Sequence, residues 1–214
     1  MPGVSLDLEA LFAPLEGYDK LGLAVSGGPD SLALMLMLAK WARGPLAPQL
    51  FVYTVDHGLR PEAAAEAAMV VREAEALGLP ARALRWEGDK PSSGVQAAAR
   101  TARYRLMAEA MEDDGVAILV TAHHLADQAE TVLMRLAHGS GIEGLRGMDA
   151  LSLVEGCEVY RPLLGLRPEV LREVVSDAGL APANDPSNSD EDYERVRWRV
   201  MLPALEALGL TLER

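Results

Sequence analysis

Short apolar runs alternate with helical periods along most of this chain, and that alternation leaves few architectures open. Leu21–Ser26 (LGLAVS), Gln49–Asp56 (QLFVYTVD), Ala81–Trp86 and Val116–Thr121 (VAILVT) read as strands. Pro29–Arg43, Pro61–Leu77, Gly94–Asp113 and His124–His138 read as helices between and after them. Pro61 suits a first helical position, and Gly78 and Gly139 suit helix ends. Strands that are apolar throughout are buried on both faces. The pattern therefore predicts an α/β fold, a parallel sheet with helices on both faces in a Rossmann-like three-layer sandwich. Beyond Gly139 the order loosens. Four glycines fall within Gly139–Met148, a last short strand is expected at Val159–Leu164, and a helix at Arg167–Ala178. A polar loop at Asn184–Asp192 leads to a final helix, Tyr193–Leu208, which carries Pro203.

At 214 residues the chain fits one large domain or two small ones. With no repeat or linker, it reads as a single domain over 1–214, with a core of about 20–165 and a helical extension of about 166–214. Half hydrophobic and 24% charged, it is no disordered tail, collagen or disulfide scaffold. One cysteine, Cys157, excludes an intrachain disulfide and a cysteine-held metal cluster, and predicts a reducing, cytoplasmic setting. The longest strongly apolar run, Leu32–Ala39, is too short to cross a bilayer, so no membrane partner is expected. Met1–Glu16 has no basic residue ahead of its apolar positions, unlike a signal peptide. A net charge of −12 argues against gripping nucleic acid by bulk electrostatics, but leaves room for a local basic patch.

Chemistry-bearing residues gather where strands end. Ser26-Gly27-Gly28-Pro29-Asp30-Ser31 lies between the first strand and the first helix. In an open α/β sheet ligands bind at the carboxyl ends of strands. A helix N-terminus offers unpaired N–H groups to a phosphate, and glycines let the backbone come close. Asp30 would repel a bare phosphate and is better placed beside a magnesium ion that phosphates share. Neither GxxxxGK[ST] nor GxGxxG is present. A strand-terminating turn at Asp56-His57-Gly58 would lie beside this loop. Arg100 and Arg103, three apart, share a helical face and suit phosphates or solvent equally. Thr121-Ala122-His123-His124-Leu125-Ala126-Asp127-Gln128-Ala129-Glu130 follows the fourth strand. A helix starting early there would project His123, Asp127 and Glu130 to one side. Helix capping accounts for Asp127 but not for two adjacent histidines.

The hexapeptide SGGPDS resembles the SGGxDS loop of the ATP pyrophosphatase, or PP-loop, superfamily, whose members split ATP between the α and β phosphates. The longer run HHLADQAETVLMRLAHGSGIEGLRGM, with DHGLRPE at Asp56–Glu62, RPLL at Arg161–Leu164 and NDPSN at Asn184–Asn188, resembles the tRNA(Ile)-lysidine synthetase family. In Tyr193–Arg199, Val196 stands where that family usually has Asn. The resemblance runs from about Leu21 to about Pro203. It implies an adenine-nucleotide alpha-hydrolase-like, PP-loop ATPase fold, and a ligase. ATP adenylates the C2 oxygen of the wobble cytidine of an isoleucine tRNA with a CAU anticodon. L-lysine then displaces AMP to form lysidine. The implied cofactors are ATP and Mg2+. Ser26, Gly27, Gly28, Pro29, Asp30, Ser31, Asp56 and His57 are the expected ATP contacts. Asp30 and Asp127 are the expected metal contacts, and Asp127, His123, Glu130 and Asp30 the expected catalytic group, with Glu130 and His123 handling lysine and its proton. Arg100, Arg103, Arg195 and Arg199 are expected at tRNA or phosphates. Further C-terminal domains are expected beyond this chain, and a homodimer is compatible with the resemblance. The alternatives are another PP-loop adenylating enzyme, a tRNA thiolase or an amide synthetase, and a non-catalytic nucleotide-binding module. Thiolases of the superfamily typically use paired cysteines, and a sensor would not need the His-His-x-x-Asp-x-x-Glu set.

Overall fold

A computed structural model describes residues 6–212 apart from 184, 187–189 and 191. Its elements are α1 (Leu8–Phe12), β1 (Lys20–Ala24), α2 (Pro29–Trp41), β2 (Gln49–Asp56), α3 (Ala63–Ala76), β3 (Ala81–Arg85), α4 (Val95–Asp114), β4 (Ile118–Val120), α5 (Leu125–Ala137), β5 (Leu151–Val154), β6 (Cys157–Tyr160), α6 (Pro168–Asp177) and α7 (Glu194–Ala207). The strands form one sheet in the order β3-β2-β1-β4-β6-β5. All neighbours are parallel except β5 and β6.

The alternation of side chains along a strand divides the core in two. Leu21 and Leu23 of β1, Leu50 and Val52 of β2, and Ile118 and Val120 of β4 face one side, against α2, α3 and α6. Tyr53 of β2 and Leu119 of β4 face the other, with Tyr104, Met107 and Met111 of α4. Both faces are covered, as the uniformly apolar strands predicted. Helix α2 is apolar nearly all round because it lies between the sheet and α6, where Leu32, Leu34, Met35 and Leu38 are fully buried. Leu171 and Val175 of α6 belong to the same core as β1.

Three expectations are corrected. Helix α3 starts at Ala63 rather than Pro61, which stays in the preceding turn. Helix α5 starts at Leu125 with His124 as its cap, so His123 lies in the preceding loop and not on the helix face. The expected last strand is a hairpin shifted earlier in the chain, Leu151–Val154 against Cys157–Tyr160. Its two-residue turn, Glu155-Gly156, has φ of 48° and 84°. Such turns most often carry Asn or Asp first, so Glu155 hid it. The short helix α1 has no counterpart in the pattern read above. Of the NDPSN segment, Asn184, Ser187 and Asn188 lie outside the described residues.

Gly22 sits in the middle of β1, opposite the ring of Tyr53. A Cβ there would meet Tyr53 Cε2 at 2.9 Å and Val116 Cγ1 at 3.2 Å. Tyr53 cannot yield easily, because its hydroxyl donates to Asp114 Oδ2 at 2.9 Å. Overpacking of this kind typically costs about 1–3 kcal/mol. Gly22→Val should lower the unfolding free energy by that amount, read from urea titration. An unchanged midpoint would show that the ring has room to move.

Candidate active site

Strands β1, β2 and β4 end side by side, and the segments that follow them open onto a single cleft of about 790 Å³. After β1, Gly27 has φ of +89°, and a Cβ there would press on Met69 and Val70 at 3.1 and 3.2 Å. Gly27 is thus required for the turn and its packing, and it is not among the residues that line the cleft. Gly28 is different. It caps α2 with an ordinary extended φ of −70°, and a Cβ would meet nothing closer than Ser26 Oγ at 3.7 Å. Ser31 closes the loop: its Oγ donates to Gly28 O at 3.0 Å and accepts from Ser26 N at 3.2 Å. Pro29 occupies the first turn of α2, where a missing N–H does no harm. Ser26, Gly28, Pro29, Asp30 and Ser31 all line the cleft.

Beyond β2, Asp56 is buried and its Oδ1 accepts from Gly58 N at 2.8 Å. That carboxylate shapes the turn and is not among the residues that line the cleft. His57 does line it. Arg103 Nη2 lies 3.1 Å from His57 Nε2. A guanidinium can only donate, so Nε2 accepts and the ring is neutral. Burial, then the charge of Arg103, lower the His57 pKa to about 4. Arg100 lies on the same wall, over the Tyr104 ring at 5.1 Å.

The segment after β4 supplies two histidines in different states. His123 Nδ1 pairs with Thr121 Oγ1 at 2.9 Å. Burial lowers its pKa to about 4, Asp127 opposes this, and the arginines at 161, 195 and 100 reinforce it. It therefore stands neutral, in the form able to accept a proton. His124 was missed by the sequence reading. It is 6% exposed and caps α5 in a reciprocal box with Asp127. Its Nε2 lies 3.5 Å from Asp30 Oδ2 and its Nδ1 3.5 Å from Asp127 Oδ2. Burial works against its protonation, but the hydrogen bond of Asp30 and the charges of Asp127, Asp30 and Glu130 outweigh it and raise its pKa. Only the doubled histidine hinted at this role.

Glu130 lies deeper. It is fully buried and is not part of the cleft lining. Arg199 grips it with Nε at 2.7 Å and Nη2 at 3.3 Å, and Arg195 Nε lies 3.4 Å away. Glu130 fixes α7 to α5 and holds two guanidiniums at the cleft wall, where Arg195 and Arg199 are both exposed in part. The glycine segment after α5 is pinned from the same helix. Gln128 bonds both the N–H and the carbonyl of Met148, and Arg135 donates to the carbonyls of Gly144 and Gly147.

The wall carries six arginines against four carboxylates, although the whole chain is at −12. Arg167 and Arg172 of this set, from the start of α6, belong to no motif read above. The cleft is thus a local positive site on an acidic protein. Among the described residues no group of three or more His, Cys, Asp or Glu could hold a metal unaided. Asp30 and Asp127 do fit a magnesium ion that draws its remaining ligands from phosphates and water. Each turns its Oδ2 to His124.

A parallel sheet with a glycine loop at the end of its first strand defines a nucleotide-binding α/β domain. The family model described as a PP-loop domain matches residues 3–205, and the chain belongs to that family. Among curated proteins it is similar to the tRNA(Ile)-lysidine synthase of a Bradyrhizobium species, 50% identical over 98% of this chain and 59% of the relative. The enzyme of the same name from Rhodopseudomonas palustris is 52% identical over 93% of this chain and 58% of the relative. The chain thus spans somewhat over half the length of these relatives. Among solved structures, the U34-tRNA thiolase NcsA from Methanococcus maripaludis with its [4Fe-4S] cluster superimposes with a TM-score of 0.78 at 15% identity, covering 95% of this chain and 72% of that one. Phosphoadenylyl-sulfate reductase from Candida auris gives 0.54 at 11% identity, covering 84% and 83%. At these identities the likeness concerns the fold. The lone Cys157 is buried on β6, and no second cysteine exists to join it in a cluster. No described helix is long and apolar enough to cross a membrane.

The Glu130 pair predicts an asymmetry. Glu130→Gln leaves half-exposed guanidiniums that water can solvate, a loss of roughly 1–3 kcal/mol. Arg199→Met leaves the buried carboxylate with Arg195 alone and should cost more, toward about 3–5 kcal/mol. Urea unfolding of both variants checks the order. The reverse order would show that Glu130 is not the charge in need of pairing.

Proposed function

We propose that this chain catalyses lysidine formation: ATP-dependent attachment of L-lysine to the wobble cytidine of an isoleucine tRNA with a CAU anticodon. One observation carries the reading. The Ser26–Ser31 loop and the His123–Asp127 segment, far apart in sequence, face one basic cleft and meet through Asp30, His124 and Asp127. The similar lysidine synthases support the same assignment.

The steps follow from the chemistry. The C2 oxygen of cytidine is a poor leaving group until it carries a phosphate. It attacks the α-phosphate of ATP, the bond to the β-phosphate breaks, and pyrophosphate leaves. The lysine side-chain amine then attacks C2, gives up a proton, and AMP departs with the C2 oxygen. Ser26, Ser31 and the first N–H groups of α2 orient the phosphates. Magnesium bound by Asp30 and Asp127 would offset charge on the α-phosphate and on pyrophosphate. Arg100, Arg103, Arg195 and Arg199 bind phosphates of ATP or tRNA, and His57 sits beside the nucleoside. An amine with an ordinary pKa near ~10.4 must be deprotonated before it attacks. Neutral His123 is the group we assign to that proton. A soluble cytoplasmic enzyme fits this work.

The test is incubation with ATP, lysine and isoleucine tRNA, followed by mass analysis of the nucleosides. A cytidine increased by the mass of lysine less water is the expected product. Pyrophosphate release without that product would overturn the assignment. Asp127→Asn should slow turnover by ~10²–10³. Gly28→Val is the cleaner probe of the loop, because a Cβ at this position meets nothing closer than 3.7 Å in the free protein, whereas the bound phosphates would meet the branched side chain. It should melt normally yet lose ATP affinity at least about tenfold in calorimetric titration. Normal affinity would place the nucleotide elsewhere.

A further inference from the structure

We infer that His124 is a positioning residue. It clasps Asp30 to Asp127 and so sets the separation of the two carboxylates that would share a magnesium ion with ATP. The inference rests on the magnesium reading above and concerns what makes that pair of carboxylates usable.

Asp30 stands in the first turn of α2 and Asp127 in the first turn of α5. The two helices follow different strands, and two negative charges facing one cleft repel each other. Among the described residues His124 is the one residue set against both: its Nε2 lies 3.5 Å from Asp30 Oδ2, and its backbone N–H donates to Asp127 Oδ2. It is itself held firmly. Its backbone N–H donates to Asp127 Oδ2 at 3.0 Å, its Nδ1 accepts from Asp127 N at 3.4 Å, and the ring is almost wholly buried. With Nδ1 accepting, the ring proton of the neutral form lies on Nε2, directed at Asp30.

Capping alone does not call for histidine. Ser, Thr, Asp and Asn are the favoured N-caps, and Asn would serve α5 as well. What the imidazole adds is reach, a second nitrogen on the far side of the ring that meets Asp30. Asp30 turns Oδ2 to this ring and Asp127 spends Oδ2 on the backbone N–H of His124, so the Oδ1 atoms are the ones left to a metal. Asp127 Oδ1 otherwise sees Arg199 Nη2 at 4.0 Å. Magnesium tolerates little departure from octahedral geometry, so the spacing of two protein oxygens matters to it. Groups that orient metal-binding carboxylates typically change metal affinity by about 10- to 100-fold when lost.

His124→Asn and His124→Gln separate the two roles. The Asn side chain reproduces Nδ1 and the cap but stops short of Asp30. The Gln side chain places its amide nitrogen near the position of Nε2 and keeps a donor toward Asp30. Manganese(II) serves as the probe, with its binding in the presence of ATP followed by electron paramagnetic resonance on the full chain. H124N should keep the melting temperature of the unmodified protein and bind manganese about 10- to 100-fold more weakly. H124Q should recover part of that loss. Unchanged manganese affinity in H124N, or a loss that H124Q does not reduce, overturns the inference. If the unmodified protein binds no manganese with ATP, or if Asp30→Asn combined with Asp127→Asn leaves binding unaltered, the magnesium reading itself falls and this inference with it.

Discussion

Strands β1 and β4 run side by side, with Leu21 opposite Ile118 and Leu23 opposite Val120. Each strand leads within a few residues into a helix, α2 or α5, whose N-terminus points back over the sheet edge. Two helix N-termini, with the partial positive charge that goes with them, therefore converge on one space. No loop could arrange this alone. It follows from pairing two strands that lie far apart in sequence, and that pairing is secured by apolar side chains packed on both faces of the sheet. The serines, carboxylates and histidines of the cleft are attached to that frame.

The frame was readable because each strand carries its own signal. QLFVYTVD gave Gln49–Asp56 to the residue, and the apolar run before SGGPDS located β1 to within two residues. The antiparallel hairpin escaped because Glu155-Gly156 lacks the usual turn residues and because Leu151–Val154 is only half buried. In the site, Asp56, Gly27 and Glu130 lie within motifs that point to ligand contacts. Their positions also answer structural needs that the motifs do not announce: a turn, a close approach to α3, and a buried anchor for α7. The helical phase also misled, since placing His123 on α5 moved the histidine of interest by one residue. A one-residue cap decides which of two neighbours meets Asp30, and no periodicity resolves that.

Charge distribution settles what the composition left open. Many acidic residues lie away from the cleft, paired or solvated, as with Asp113 and Asp114 around Arg82. The arginines of the wall come from α4, α6 and α7, three separate helices. A polyanion approaching this protein meets general repulsion and, at this cleft, a local attraction, which favours selectivity over speed of encounter.

The contact between Glu130 and Arg199 closes a span of 69 residues. A ribosome delivers Glu130 long before Arg199, and until then the carboxylate has no guanidinium to bury against. During synthesis the sheet, the glycine loop and the His124 clasp can all assemble first, leaving the basic wall to be fitted last. A nascent chain at that stage carries most of a nucleotide pocket but lacks Arg195 and Arg199 from its wall. Completion of the site is thereby tied to completion of this part of the chain, with the docking of α7 as its final step.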